Sequence, residues 1–158
     1  MKLLSPFLLS VCFIIGFSCA EKIDLDAEKV KIKSILDTWV VYVAEKNLEA
    51  VKNICDTDEL FYIDQRSIVT KGWRDYEQHL VDIFQIFEEM SFHITEQVIR
   101  LSRSANTAWF FETQDFSGLQ KDGSTISLKD VRISGVLEER NSRWLIVHFH
   151  SSFLPEAE

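Results

Sequence analysis

Residues 131–152 read VRISGVLEERNSRWLIVHFHSS and form the most strand-like part of the chain. In residues 131–137, apolar residues recur at every second position, which is the period of a β-strand with one buried face. Residues 144–152 form a second apolar run, and Asn141-Ser142 between the two runs is a turn signal. This stretch therefore predicts a β-hairpin that closes the fold.

The period of two extends back from this hairpin to Ser91. Turn signals at Ser104-Ala105-Asn106 and Lys121-Asp122-Gly123 divide the region into segments. The predicted strands are residues 92–101, 107–116, 124–138 and 143–153.

Before Ser91, apolar residues follow the three-four spacing of buried helix faces. The first predicted helix is residues 26–46, and Asn47 can cap a short second helix. A short strand is predicted at 61–63, and Gly72 precedes a third helix. Helices followed by a meander of strands predict an α+β domain over residues 26–153. We expect a curved antiparallel sheet with the helices on its concave face.

The closing hairpin resembles that of SnoaL-like domains in the nuclear transport factor 2-like superfamily: an Arg strand, a turn, and a Trp strand ending in His-x-His-x-Ser. The same ending occurs in the association domain of calcium/calmodulin-dependent kinase II, and residues 108–114 resemble a strand of that domain. The resemblance covers roughly residues 30–153. It implies a cone-shaped, usually dimeric fold with a pocket between sheet and helices. Isomerases, dehydratases, carriers and assembly hubs share this fold, so it does not choose a function.

Arg132 is the first candidate pocket residue, because its strand is apolar and the matching Arg of the kinase domain lines an anion-receptive pocket. In that domain, the positions resembling Phe111 and Ser151 are also Arg. The alternative is a salt bridge from Arg132 to Asp64 or Glu112, since buried charges are paired. Aromatic walls with a few polar groups are typical of ligand sites. The predicted pocket comprises Tyr42, Tyr76, Trp109, Phe111, Arg132 and Ser151.

Asp64 is the candidate catalytic residue. It follows an apolar run at the place where ketosteroid isomerase-like members hold their proton-abstracting carboxylate, and desolvation there would raise its pKa. Trp39 stands where those isomerases have a Tyr donor, which weakens the likeness. The alternatives for Asp64 are a solvated turn residue or the partner of Arg132.

Alternation along the last strand places Trp144, His148 and His150 on one face. We expect this face to be the outer one and to form a homodimer interface. Two His residues two apart can bind a metal, but no third ligand is evident, and we predict no metal or cofactor.

The N-terminal residues 1–20 have the pattern of a cleaved signal peptide: Lys2, an apolar run, then small residues. Cleavage before Glu21 and acylation of Cys19 in a lipoprotein-like box are both open. Both alternatives predict an exported protein, either periplasmic or lipid-anchored to the cell envelope. In the second case, the acylated Cys19 is the predicted contact with the membrane.

The charge balance excludes some partners. The sequence has 17 Lys and Arg against 25 Asp and Glu, and without Lys2 the net charge is near −9. Nucleic acids and anionic lipid surfaces need basic patches, so neither is a predicted partner. Cys12 is removed with the signal peptide, and Cys19 is either acylated or removed. Cys55 is then the only cysteine left to pair, so no disulfide is expected.

Three functions remain open from the sequence. The first is binding of a small, partly apolar and possibly carboxylate-bearing molecule in the cone. The second is an isomerase or hydrolase-type enzyme with Asp64 as general base, and the third is a dimeric assembly module with a vestigial pocket. Whether the protein is an enzyme is not decided by its sequence.

Overall fold

The computed structural model describes residues 23–64 and 68–153. The predicted signal peptide and Cys19 lie outside these residues. The elements in chain order are α1 (Leu25–Ala44), α2 (Leu48–Ile54), β1 (Phe61–Ile63), β2 (Val69–Lys71), α3 (Gly72–Ile86), β3 (Phe87–Leu101), β4 (Thr107–Gln120), β5 (Thr125–Arg140) and β6 (Arg143–Ser152).

The six strands form one sheet in the order β2-β1-β6-β5-β4-β3. Neighbouring strands are antiparallel except for β1 and β6, which run parallel. The curved sheet stays open, and the N-terminal helices cover one face. The predicted α+β class is therefore confirmed.

Helix α1 begins where its sequence provides a cap. Oδ1 of Asp24 accepts hydrogen bonds from the backbone nitrogens of Asp26 and Ala27, both at 3.1 Å. Such a side chain satisfies amide groups that the first helical turn leaves without partners. Along the helix, Ile32, Leu36 and Trp39 are buried, as the three-four spacing predicts. Helix α1 thus packs its apolar face onto the sheet.

Helix α3 ends at Ile86, and β3 begins at the next residue, Phe87. This strand therefore begins five residues earlier than the strand predicted from residue 92. Nζ of Lys46 donates to the carbonyl oxygens of Phe87 and Glu88, at 2.7 and 3.0 Å, and so joins the end of α1 to this strand. Strand β2, which the sequence analysis did not predict, pairs with β1.

A bulge in β6 changes the side on which its side chains lie. Val136 pairs with His148, but the next residue, Leu137, pairs with Ile146, so Val147 is an extra residue. Trp144 therefore lies on the helix side, 5% exposed, and not on the outer face that strict alternation predicted. His148 and His150 follow the bulge and point away from the helices.

Among residues 23–64 and 68–153, no helix is long and apolar enough to cross a membrane.

Candidate functional site

A cavity of about 570 Å³ lies between α1, α3 and the concave side of the sheet. This volume is within the range of small-molecule sites. Apolar and aromatic side chains make most of the wall. They come from α1 (Trp39, Val40, Val43), from α3 (Tyr76, Leu80, Ile83, Ile86) and from the strands and the residue after them (Phe87, Met90, Phe92, Phe116, Ile126, Leu128, Val131, Ile133, Phe149, Phe153).

Polar groups of the wall gather around Tyr62. Its hydroxyl lies 3.2 Å from Oγ of Ser151, and its ring stacks on Phe149 with centroids 4.3 Å apart. His79 of α3 meets the same ring edge-on at 5.2 Å. Asp64, two residues after Tyr62, also lines the cavity. The site therefore combines an apolar body with a polar region supplied by β1, β6 and α3.

Asp64 is only 2% exposed. Its Oδ1 accepts from the backbone nitrogen of Ile68 at 2.9 Å, and its own backbone nitrogen donates to the carbonyl oxygen of Ile68 at 3.0 Å. The first bond holds the carboxylate and the second holds the backbone at the end of β1, in the cavity wall. Asp64 is therefore a buried acid and not a solvated turn residue.

Tyr76 is 2% exposed, and its ring contacts Tyr62 and Phe149. Burial raises the pKa of its phenol well above the ordinary value, with further contributions from Cys55 and Tyr62. Tyr76 is therefore a neutral hydroxyl group at physiological pH.

Behind the wall, β4 carries a buried carboxylate. Glu112 is 0% exposed; its Oε1 accepts from the Nε2 of Gln114, and its Oε2 accepts from Nε2 of Gln97 at 2.9 Å. Burial raises the pKa of Glu112, and the two amide donors oppose that rise. Gln114 itself is 1% exposed and lines the cavity.

Three of the predicted site residues, Asp64, Tyr76 and Ser151, lie in the cavity wall. The structure does not bring the others to it. Because Phe110, Glu112 and Gln114 point inward from β4, Trp109 and Phe111 point outward, and Trp109 is 52% exposed. Tyr42 packs against the edge of the core.

Arg132 also lies outside the cavity. Its neighbour Ile133 is buried in the wall, so Arg132 projects from the opposite face of β5 and is exposed. The expected enclosure of its guanidinium is therefore wrong, as is the expected pairing with Glu112, whose two carboxylate oxygens accept from glutamine amides.

Tyr62, His79 and Gln114 also line the cavity but were not predicted from the sequence. His79 follows Tyr76 by three residues on α3, so helical spacing could have placed both on one face. Gln114 follows Phe110 by four residues on β4, a spacing that puts both on one side of a strand.

The described residues supply neither a reactive thiol nor a metal centre. Burial, with a contribution from Asp56, raises the pKa of the Cys55 thiol to about 12, so it is protonated and a poor nucleophile. In the described part of the chain, no three His, Cys, Asp or Glu side chains are grouped to hold a metal ion.

Comparison with solved structures shows the same fold. A nuclear transport factor 2-like superfamily protein from Salmonella enterica matches with a TM-score of 0.76 and 18% identity, over 85% of this chain and 96% of that one. A putative scytalone dehydratase from Novosphingobium aromaticivorans matches with a TM-score of 0.73 and 13% identity, over 82% and 85%. The association domain of C. elegans CaMKII matches with a TM-score of 0.65 and 16% identity, over 80% and 96%.

No curated protein matches the chain. The family model described as SnoaL-like domain matches residues 32–156, which include all of the sheet and most of the helices. The chain belongs to the SnoaL-like domain family.

Proposed function

We propose that the protein binds a small, mostly apolar molecule in the cavity of its cone. The observation that carries this proposal is a cavity of about 570 Å³ with apolar walls and a group of polar side chains around Tyr62. A site of this composition binds the body of a ligand by burial and orients it by a few hydrogen bonds.

A carboxylate on the ligand is no longer favoured. That expectation depended on Arg132, which projects from the outer face. Among the described residues that line the cavity, Asp64 is acidic and none is Lys or Arg. A neutral ligand therefore fits these residues better than an anionic one.

A neutral fluorescent dye, N-phenylnaphthylamine, tests binding. Its emission rises when it enters an apolar cavity, and we expect saturable enhancement with the wild type. Val40→Trp, in the wall, should weaken the enhancement by narrowing the cavity. The adjacent Val41→Trp, at a position 46% exposed on the surface of α1, is the matched control and should bind normally.

Absence of dye binding to the wild type would instead support the assembly module with a vestigial pocket. Equal binding by both Trp variants would show that the dye binds elsewhere.

A second candidate function is acid–base catalysis by Asp64. The observation in its favour is a carboxylate 2% exposed in the wall of the cavity, as a general base that acts on an enclosed substrate needs. Hydrogen exchange of enolisable ketones in D₂O, followed by NMR, tests it. Wild-type protein should accelerate exchange and Asp64→Asn should not, while both bind the dye. Equal rates with the two proteins would exclude this function.

We also propose a homodimer through the outer face of the sheet. One row of cross-strand neighbours on this face runs Arg100, Trp109, Val136, His148, Phe61 and Lys71. Trp109 is the second residue of that row and is 52% exposed. Its neighbours in the row are Arg100 and Val136, and an exposed aromatic beside an Arg and an apolar residue is typical of an interface.

Export remains a proposal that depends on residues 1–20. The expected mature chain begins at Cys19 or Glu21. Intact-mass measurement of membrane and soluble fractions tests this, and recovery of the chain with Met1 in the cytoplasm would contradict it.

A further inference from the structure

The amide of Gln114 is held against the cavity by a carboxylate behind it. Glu112 precedes Gln114 by two residues on β4, so the two side chains project from the same face of the strand. Both are buried, at 0% and 1% exposure, but Gln114 lines the cavity and Glu112 does not. The Nε2 of Gln114 donates to Oε1 of Glu112. The nitrogen of the amide is therefore turned towards Glu112.

A second amide fixes the carboxylate itself. Nε2 of Gln97 donates to Oε2 of Glu112 at 2.9 Å and lies 3.4 Å from Oδ1 of Asp37. A glutamine amide between two carboxylates presents its nitrogen to both, since only the nitrogen carries hydrogens to donate. Glu112 thus accepts through both oxygens and cannot turn away from Gln114 without losing a bond.

We propose that Gln114 selects ligands which carry a hydroxyl or N–H donor, because Glu112 turns its amide oxygen towards the cavity. Among the described residues, the hydrogen bond of the Gln114 side chain is made by Nε2, and none is made to Oε1. A bound ligand without a donor would cover this acceptor and leave it unpaired, which costs free energy. Gln114 is then a specificity-determining residue, and Glu112 is a positioning residue that acts through it. This inference rests on the proposed binding function and names its ligand class.

Displacement of N-phenylnaphthylamine by three related molecules tests the inference. para-Butylphenol carries a donor, para-butylanisole only an acceptor, and butylbenzene neither. We expect the wild type to bind the phenol roughly 3- to 10-fold more tightly than the anisole, the value of one hydrogen bond. The anisole and butylbenzene should bind alike.

Gln114→Leu, of similar size, should remove the preference for the phenol and leave the anisole affinity unchanged or higher. Glu112→Met should also reduce the preference, because the amide of Gln114 is then free to turn. A merely structural effect would weaken all three probes together. Gln78→Leu makes the same side-chain change at an exposed position of α3, outside the cavity wall, so it is the control and should retain the preference.

The outcomes separate this inference from the function on which it rests. Equal affinity of the wild type for phenol and anisole would overturn it, as would a preference that persists in Gln114→Leu. Either result leaves the binding function intact. Failure of the wild type to bind the dye or any probe would defeat the binding function, and this inference with it.

Discussion

The indole nitrogen of Trp144 donates to Oε2 of Glu28 across 2.7 Å and so ties the last strand to the first turn of α1. Trp144 is 5% exposed, and Glu28 also accepts from Nζ of Lys31. These bonds, with Lys31 making the larger contribution, hold the pKa of Glu28 below its ordinary value. The pair therefore joins the two ends of the domain.

Trp144→Phe should destabilise the fold by about 1–3 kcal/mol, because it removes a hydrogen bond to a charged group and some buried surface. Since the pKa of Glu28 is lowered in the folded state, its stabilising contribution is present above its ordinary pKa and is lost as the pH falls. Urea unfolding at neutral and acidic pH measures both effects. Combining the change with Glu28→Gln gives a double-mutant cycle, and simple additivity would contradict the bond.

The position of Trp144 could not be predicted from the sequence. Period-two alternation predicted the strands, but it placed Trp144 on the outer face. The insertion of Val147 reverses the alternation between Ile146 and His148, and bulges depend on pairing with the neighbouring strand. A pattern within one strand does not contain that information.

A second prediction concerns Gly135, where strands and core approach closely. A Cβ at this position would lie 2.4 Å from the carbonyl oxygen of His148 and 2.6 Å from the ring of Phe110. The carbonyl oxygen belongs to the backbone of β6, so it cannot move without distorting the sheet. Gly135→Ala should cost roughly 1–3 kcal/mol. Ser134→Ala, on the exposed face, should be within about 0.5 kcal/mol of wild type. Equal melting temperatures for the two variants would contradict this packing.

The candidate site was only partly predictable. Tyr76 was found because it lies on an apolar helical stripe, and Asp64 and Ser151 because they match site positions of similar domains. Arg132 was misplaced because apolar sequence neighbours do not enclose a side chain in a strand: those on either side point to the other face. Gln97 and Glu112 meet only because β3 and β4 pair in one register. That register is a property of the whole sheet.

A third prediction uses the raised pKa of Glu112. Burial is the largest cause of the shift from the ordinary value of 4.5, so the proton binds more tightly in the folded state. The stability that protonation contributes is present below the ordinary pKa and is lost as the pH rises through the raised one. The two charged groups that affect this pKa, Asp37 and Lys33, are present in wild type and variant alike.

The Gln side chain in the Glu112→Gln variant cannot ionise, so the variant should not lose this stability as the pH rises. As the pH rises from about 4 through neutrality, the variant should gain stability relative to the wild type, by about 1.4 kcal/mol for each unit of the pKa shift. Urea unfolding of both proteins across this range measures the difference. A difference that stays constant with pH would show that the pKa of Glu112 is not raised.

The last prediction concerns Trp109 and the proposed dimer. Alternation along the last strand predicted an interface of Trp144, His148 and His150. Trp144, however, packs beneath α1, so Trp144→Glu would test folding and not association. On the outer face, Trp109 pairs with Val136, which pairs with His148, and this row offers a continuous surface to a second copy. Trp109→Glu replaces the exposed Trp of that row with a charged residue. We expect it to raise the dimer dissociation constant by at least about 30-fold, as for an aromatic residue that anchors an interface. Val30→Glu, which adds the same charge at a position 69% exposed on α1, should leave association unchanged. Light scattering over a concentration series gives both constants. A wild type that is monomeric at high micromolar concentration, or equal weakening by the two substitutions, would exclude a dimer through this face.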